Sequence, residues 1–163
     1  MGCVIIVWKF KSFDELTVYE LYGILKLRAE IFVVEQDCPY QDLDDKDKYA
    51  YHLFLEENNE VVALLRILPE GISFEDMAIG RVVVKQSYRG QGISRIMMKK
   101  AIDFIVDDLK KTRIRLSGQA YLTEFYQSLG FKKVSDVYLG MALSILSFYM
   151  KSDLLFSKSN WTL

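Results

Sequence analysis

At 163 residues the chain is long enough to bury one full core without disulfide or metal staples, so a single domain spanning 1–163 is expected. Its 51% hydrophobic content includes no apolar run of membrane-spanning length, which excludes a helical membrane protein. A net charge of −1 supplies no basic face for nucleic acid and leaves a small, metabolite-sized partner as the expectation.

In chain order, Val4-Ile5-Ile6-Val7-Trp8 reads as a first strand. Ser12 to Glu15 and Thr17 to Glu20 both fit a capping box, and Leu21, Ile24, Leu25, Arg28, Ile31 and Phe32 carry helical spacing after them. Pro39 breaks that helix, and 41–47 reads as a charged, exposed loop or short turn. Strands follow over 49–56 and 60–68, joined by the Glu57-Asn58-Asn59 turn. The continuous Val82-Val83-Val84 marks 77–84 as a central strand buried on both faces. A long helix runs from Gly92 to about Leu109, with Ile93, Met97, Ala101, Ile105 and Leu109 on one side. A strand over 113–117, a helix over 120–129 capped by Gly130, a strand over 131–134 and an alternating stretch over 142–150 complete the chain. Mixed strands and helices of this kind make an α/β sheet domain with antiparallel and parallel parts.

The segment most charged with chemistry is Ile79-Gly80-Arg81-Val82-Val83-Val84 followed by Arg89-Gly90-Gln91-Gly92-Ile93-Ser94-Arg95. A strand that runs through a glycine-bearing turn into a helix leaves unpaired backbone amides at the helix N-terminus, a site suited to a diphosphate. The pattern lacks the Gly-Lys-Ser/Thr of the ATP-binding loop and the Gly-x-Gly-x-x-Gly of dinucleotide folds. Gly92 permits close approach of a phosphate where a β-carbon would crowd it.

Arg89-x-x-Gly92-x-Ser94 resembles the acetyl-CoA loop of the GNAT superfamily of N-acetyltransferases, with Ser94 in place of the usual Gly or Ala. Phe125-Tyr126-x-x-Leu129-Gly130-Phe131 resembles the helix-to-strand motif that follows that loop. Leu25 to Gln36, Cys38 to Asp44 and Ser117-Gly118-Gln119-Ala120 narrow the resemblance to the ElaA-type branch. The resemblance implies the GNAT fold, a mixed sheet of about six to seven strands with about four helices. It also implies a bacterial acyltransferase that moves an acetyl group from acetyl-CoA to the primary amine of a small molecule or peptide by direct attack.

Further roles follow from the resemblance. Amides of Gly90, Gln91, Gly92, Ile93, Ser94 and Arg95, with Arg89, would hold the diphosphate. The backbone N–H groups of Val82, Val83 and Val84 would polarise the thioester carbonyl. Ser117 and Gln119 would flank the pantetheine arm, although Gln119 also suits a helix cap. Tyr126 would protonate the departing thiolate, since a phenol with an ordinary pKa of about 10 is protonated at neutral pH. An amphipathic core tyrosine is its other reading.

Many relatives carry a glutamate on the central strand where this chain has Gly80, a glycine that the ElaA-type branch shares. Glu35, after an apolar turn expected to desolvate it, is the candidate base. Asp42 and Asp44 either attract an ammonium substrate or keep a loop solvated. His52, the single histidine, reads either as a base or as a hydrogen-bonded strand residue, and Tyr121 stands where the branch has a histidine. Cys3, Cys38 and His52 have no metal-ligand spacing, so no metal is expected, and reduced thiols fit a cytoplasmic protein.

From about residue 139 the branch pattern ends. A change of reading frame relative to the relatives, or a divergent edge strand, accounts for the tail. Leu154, Leu155, Phe156 and Trp161 either pack on the domain or join a homodimer contact. A catalytically weak protein that binds acyl-CoA as a sensor is the alternative function.

Overall fold

The structure, a computed structural model, describes residues 5–140 and 143–152. Val4, Cys3, Met141, Ala142 and the tail with Leu154, Leu155, Phe156 and Trp161 lie outside the described residues. Eight strands form one sheet: β1 (Ile6–Ser12), β2 (Tyr51–Glu57), β3 (Glu60–Leu68), β4 (Met77–Val84), β5 (Arg113–Gln119), β6 (Lys132–Lys133), β7 (Tyr138–Gly140) and β8 (Leu143–Lys151). Three helices accompany them: α1 (Val18–Arg28), α2 (Ile93–Asp103) and α3 (Thr123–Ser128). The first two run on as π-helical turns, Ala29–Glu35 and Phe104–Asp108, so each expected long helix is present but loosens at its end.

Helix α1 starts where the sequence places its box. Glu20 N–H donates to Thr17 Oγ1 at 3.1 Å and Thr17 N–H to Glu20 Oε2 at 2.9 Å, satisfying two orphan donors. Alternation in β2 and β3 then divides the core into two faces. Phe54, Val61 and Leu64 meet Ile24, Leu27 and Ile31 of the α1 segment. Leu53, Leu55, Val62 and Leu65 meet Met97, Met98, Ala101 and Ile105 of the α2 segment on the other side. The strand order is β1-β2-β3-β4-β5-β8-β6, with β7 beside β8. The strand beyond the six or seven expected is the short piece β7, too brief for a period-two pattern to announce it, while β6 falls within the strand expected over 131–134.

Every pairing is antiparallel except β4 with β5. That parallel pair holds at three positions, Met77 with Ile114, Ala78 with Arg115 and Ile79 with Leu116. Beyond Ile79 the two strands part. β4 continues along β3, and β5 continues along β8 through Gln119, opposite Ile145. The departure coincides with a bulge: Leu64 faces Val83 and Arg66 faces Gly80, so Leu65 stands against both Arg81 and Val82. Arg81 sits at φ 54°, the left-handed region that a non-glycine residue enters at a cost.

The 41–47 segment differs most from its expected character. It is a seat for ions rather than a solvated loop. Arg28, 1% exposed, donates from Nε to Asp42 Oδ2 at 2.7 Å and from Nη1 to Asp47 Oδ1 at 2.6 Å. Arg66 joins Asp44 at 2.6 Å and Asp47 at 3.0 Å. Arg81 Nε reaches Asp42 Oδ1 at 2.7 Å, and its guanidinium lies 5.8 Å from the Phe32 ring centroid. Burial alone would lift the Asp47 carboxyl, but Arg28 and Arg66 outweigh it and hold it below the ordinary carboxylate range. The carboxylates of Asp42 and Asp44 are thus committed to arginines instead of facing an ammonium substrate.

Candidate active site

The turn after β4 is built as the sequence leads one to expect. A 3₁₀ turn, Gln86–Tyr88, leads into Arg89, then Gly90 at φ 77°, Gln91 and Gly92 at φ 76°. Both glycines hold left-handed backbone that an L side chain would strain. The first helical bond of α2 is Ile96 N–H to Gly92 O at 3.2 Å. Ahead of it, the amides of Gly90 to Arg95 have no backbone acceptor among the described residues. An eleven-residue helix stands behind them with its dipole aimed at the same point.

These amides border a cleft of about 350 Å³. Val82, Val83 and Val84 form one wall, Arg89, Gly90, Gly92, Ile93, Ser94 and Arg95 the floor, and Leu122, Phe125 and Tyr126 the opposite wall. The structure therefore brings together ten of the residues singled out from the sequence: three valines, six from the loop and helix start, and Tyr126. The residues fit a diphosphate-bearing thioester, since the nest is open above both glycines: a β-carbon at either would meet no other heavy atom within 4 Å.

Tyr126 is 4% exposed, packs edge-on to Phe125 and lines the cleft. Burial, with a smaller effect of Tyr121, pushes its pKa up to about 12, so the phenol keeps its proton. Sequence reasoning missed what seats this ring. A Cβ on Gly118 of β5 would come 2.4 Å from Tyr126 Cε2, so only glycine lets the ring cross the strand there. Tyr88, Leu122 and Phe125 were also missed as lining residues. They are ordinary apolar positions, and no periodicity separates a cleft wall from a core.

Other expected site residues stand elsewhere. Gln91 lies in the loop with its side chain exposed, its Nε2 turned 3.5 Å from Ser87 O, and does not line the cleft. Ser117 is exposed on β5 and accepts from the Tyr138 hydroxyl at 3.3 Å. Gln119 ends β5 opposite Ile145. Neither lines the cleft; Leu122 and Phe125 do, where the chain turns at Ala120–Leu122 into α3.

Glu35 is not in the desolvated setting expected of it. It is exposed at the end of its π-helical turn, and both of its oxygens bind Arg89, at 2.8 Å and 3.0 Å. His52 is buried, and burial lowers its pKa; its Nε2 lies 3.0 Å from Asp47 O, an acceptor that requires the proton on that nitrogen. It is the hydrogen-bonded strand residue of its two readings. Cys38 is half-buried and forms no disulfide among the described residues. Among the described residues, no cluster of His, Cys, Asp and Glu could hold a metal ion, and no helix is long and apolar enough to cross a membrane.

The sequence profile of the Acetyltransferase (GNAT) domain family matches residues 18–150. The chain belongs to this family. The GNAT match runs on through β8, beyond the point at which the sequence pattern departs from the branch. Protein ElaA of Escherichia coli is 37% identical over 150 residues, covering 86% of this chain and 98% of that protein. Its crystal structure superposes with a TM-score of 0.84 at 36% identity, over 90% of this chain and 100% of that one. An acyl-CoA N-acyltransferase from Pseudomonas aeruginosa is similar to the same degree, with a TM-score of 0.84 and 34% identity over 88% of this chain and 99% of its own. The fold is thus the mixed α/β GNAT fold, and the cleft at the parting of β4 and β5 is the candidate active site of a GNAT acyltransferase.

Proposed function

We propose that this protein transfers an acetyl group from acetyl-CoA to a primary amine by direct attack, with Tyr126 as the acid. The observation that carries the reading is the meeting, in one cleft, of an amide nest without backbone acceptors and the Tyr126 phenol. Acetyl-CoA supplies the activated thioester. Amides of Gly90, Gly92, Ile93, Ser94 and Arg95 bind its diphosphate, aided by the α2 dipole. The β4 edge at Val82–Val84, freed from β5 by the bulge, offers N–H groups to the thioester oxygen as negative charge develops there.

The neutral amine attacks the carbonyl carbon, the C–S bond breaks, the Tyr126 hydroxyl gives its proton to the leaving sulfur, and the attacking nitrogen releases its surplus proton to water. With its pKa raised, the phenol regains a proton from water at once. No carboxylate lines the cleft among the described residues, so the amine sheds its own proton to solvent before attack. The same absence favours a second reading, a weakly catalytic acyl-CoA-binding protein.

Calorimetric titration of acetyl-CoA, followed by turnover on a panel of polyamines, amino sugars and peptides, separates the two. In the enzyme, Tyr126→Phe keeps the affinity and loses roughly a hundredfold in kcat. Binding without turnover on any amine, identical in wild type and Tyr126→Phe, leaves the sensor.

A further inference from the structure

Arg89 has two claimants. Its Nε donates to Val84 O at 3.0 Å, which anchors the side chain at the end of β4. Its Nη1 and Nη2 engage Glu35 at 2.8 Å and 3.0 Å. A guanidinium carries five N–H donors, so two remain, one on each terminal nitrogen. Arg89 borders the cleft beside the amide nest, and Glu35 does not. One of the two guanidinium groups of the floor is therefore neutralised from outside by a carboxylate.

That carboxylate is loosely held. The side chains of Arg89 and Glu35 are 43% and 35% exposed, and ion pairs so open to water contribute little. Glu35 also ends a helical turn, where the dipole disfavours a negative charge. A diphosphate is a stronger bidentate partner for a guanidinium than a half-solvated carboxylate. Resting on the site assignment above, we propose that the Glu35–Arg89 ion pair is an internal competitor for the cofactor diphosphate. Binding moves Arg89 from Glu35 to phosphate, and Glu35 sets the affinity for CoA below what the nest alone would give.

The test is calorimetric titration of CoA into wild type, Glu35→Gln, Arg89→Gln and the double variant, with thermal unfolding as a check that the exposed substitutions leave the fold intact. Glu35→Gln is expected to bind CoA roughly threefold to tenfold more tightly, and that gain disappears in the Arg89→Gln background. Unchanged or weaker binding by Glu35→Gln overturns the proposal and makes Glu35 a clamp that holds Arg89 in place. An equal gain in both backgrounds also overturns it, leaving long-range repulsion between Glu35 and the polyanion. Absence of CoA binding in wild type and all three folded variants is a different failure: it removes the site assignment, and this proposal with it.

Discussion

Replacing Arg28 by Met removes the most deeply buried ion among the described residues and leaves the rest of its network in place. Arg28 is 1% exposed and Asp42 4%, so the two charges meet in a setting from which water is excluded. Taking one partner from a buried pair costs about 3–5 kcal/mol, because the other charge stays buried without its counterion. Here both carboxylates retain a second arginine: Asp42 keeps Arg81 at 2.7 Å, and Asp47 keeps Arg66 at 3.0 Å. The loss therefore falls near the lower end, about 3 kcal/mol. For a chain of this length each kcal/mol moves Tm by roughly 2–4 °C, which makes the expected fall about 6–12 °C. Thermal unfolding followed by circular dichroism measures it, and the urea midpoint checks that the slope is unchanged. A fall of less than 2 °C for this variant would refute the argument, and the network would then be no more than solvated surface pairs.

Three other perturbations test separate parts of the structure. Burial opposes ionisation of Glu20, but the Thr17 amide, Lys9 and Lys11 prevail and lower its pKa from 4.5 to about 2. Its stabilisation is therefore complete above pH 4.5 and lost as pH falls toward 2. Urea midpoints at neutral and acid pH should differ less in Glu20→Gln than in wild type. Gly118→Ala drives a methyl into the Tyr126 ring; a stability loss of about 1–3 kcal/mol and a fall in kcat larger than any change in acetyl-CoA affinity are expected in steady-state assays. A β-carbon at Gly80 would meet no heavy atom within 4 Å, and its φ is not left-handed, so the side chain of Gly80→Glu starts into open space. It restores the strand carboxylate of many relatives, and at neutral pH it should raise kcat with amines that are mostly protonated in solution; an unchanged rate would mean that deprotonation does not limit turnover.

Much of this arrangement was legible without coordinates. The capping box at Thr17, the Asn turn, the valine run and the two glycines each carry their instruction locally, through backbone preference or a period of two or four. Those features determined the elements and the amide nest after β4, and the order of the loop and Tyr126 motifs pointed to the family. The tertiary structure decided what depends on residues distant in sequence. Arg28 reads as one more position on a helix face, and Asp42 and Asp47 read as a charged loop; only when the loop folds back under β3 and β4 do they become a buried network. The Glu35–Arg89 pair spans 54 positions, and no spacing rule reaches that far. Gly118 looks like a tolerated strand glycine until the Tyr126 ring is laid across it. Local backbone chemistry is written in the order of the residues, whereas burial and ion pairing are properties of the space that the fold creates.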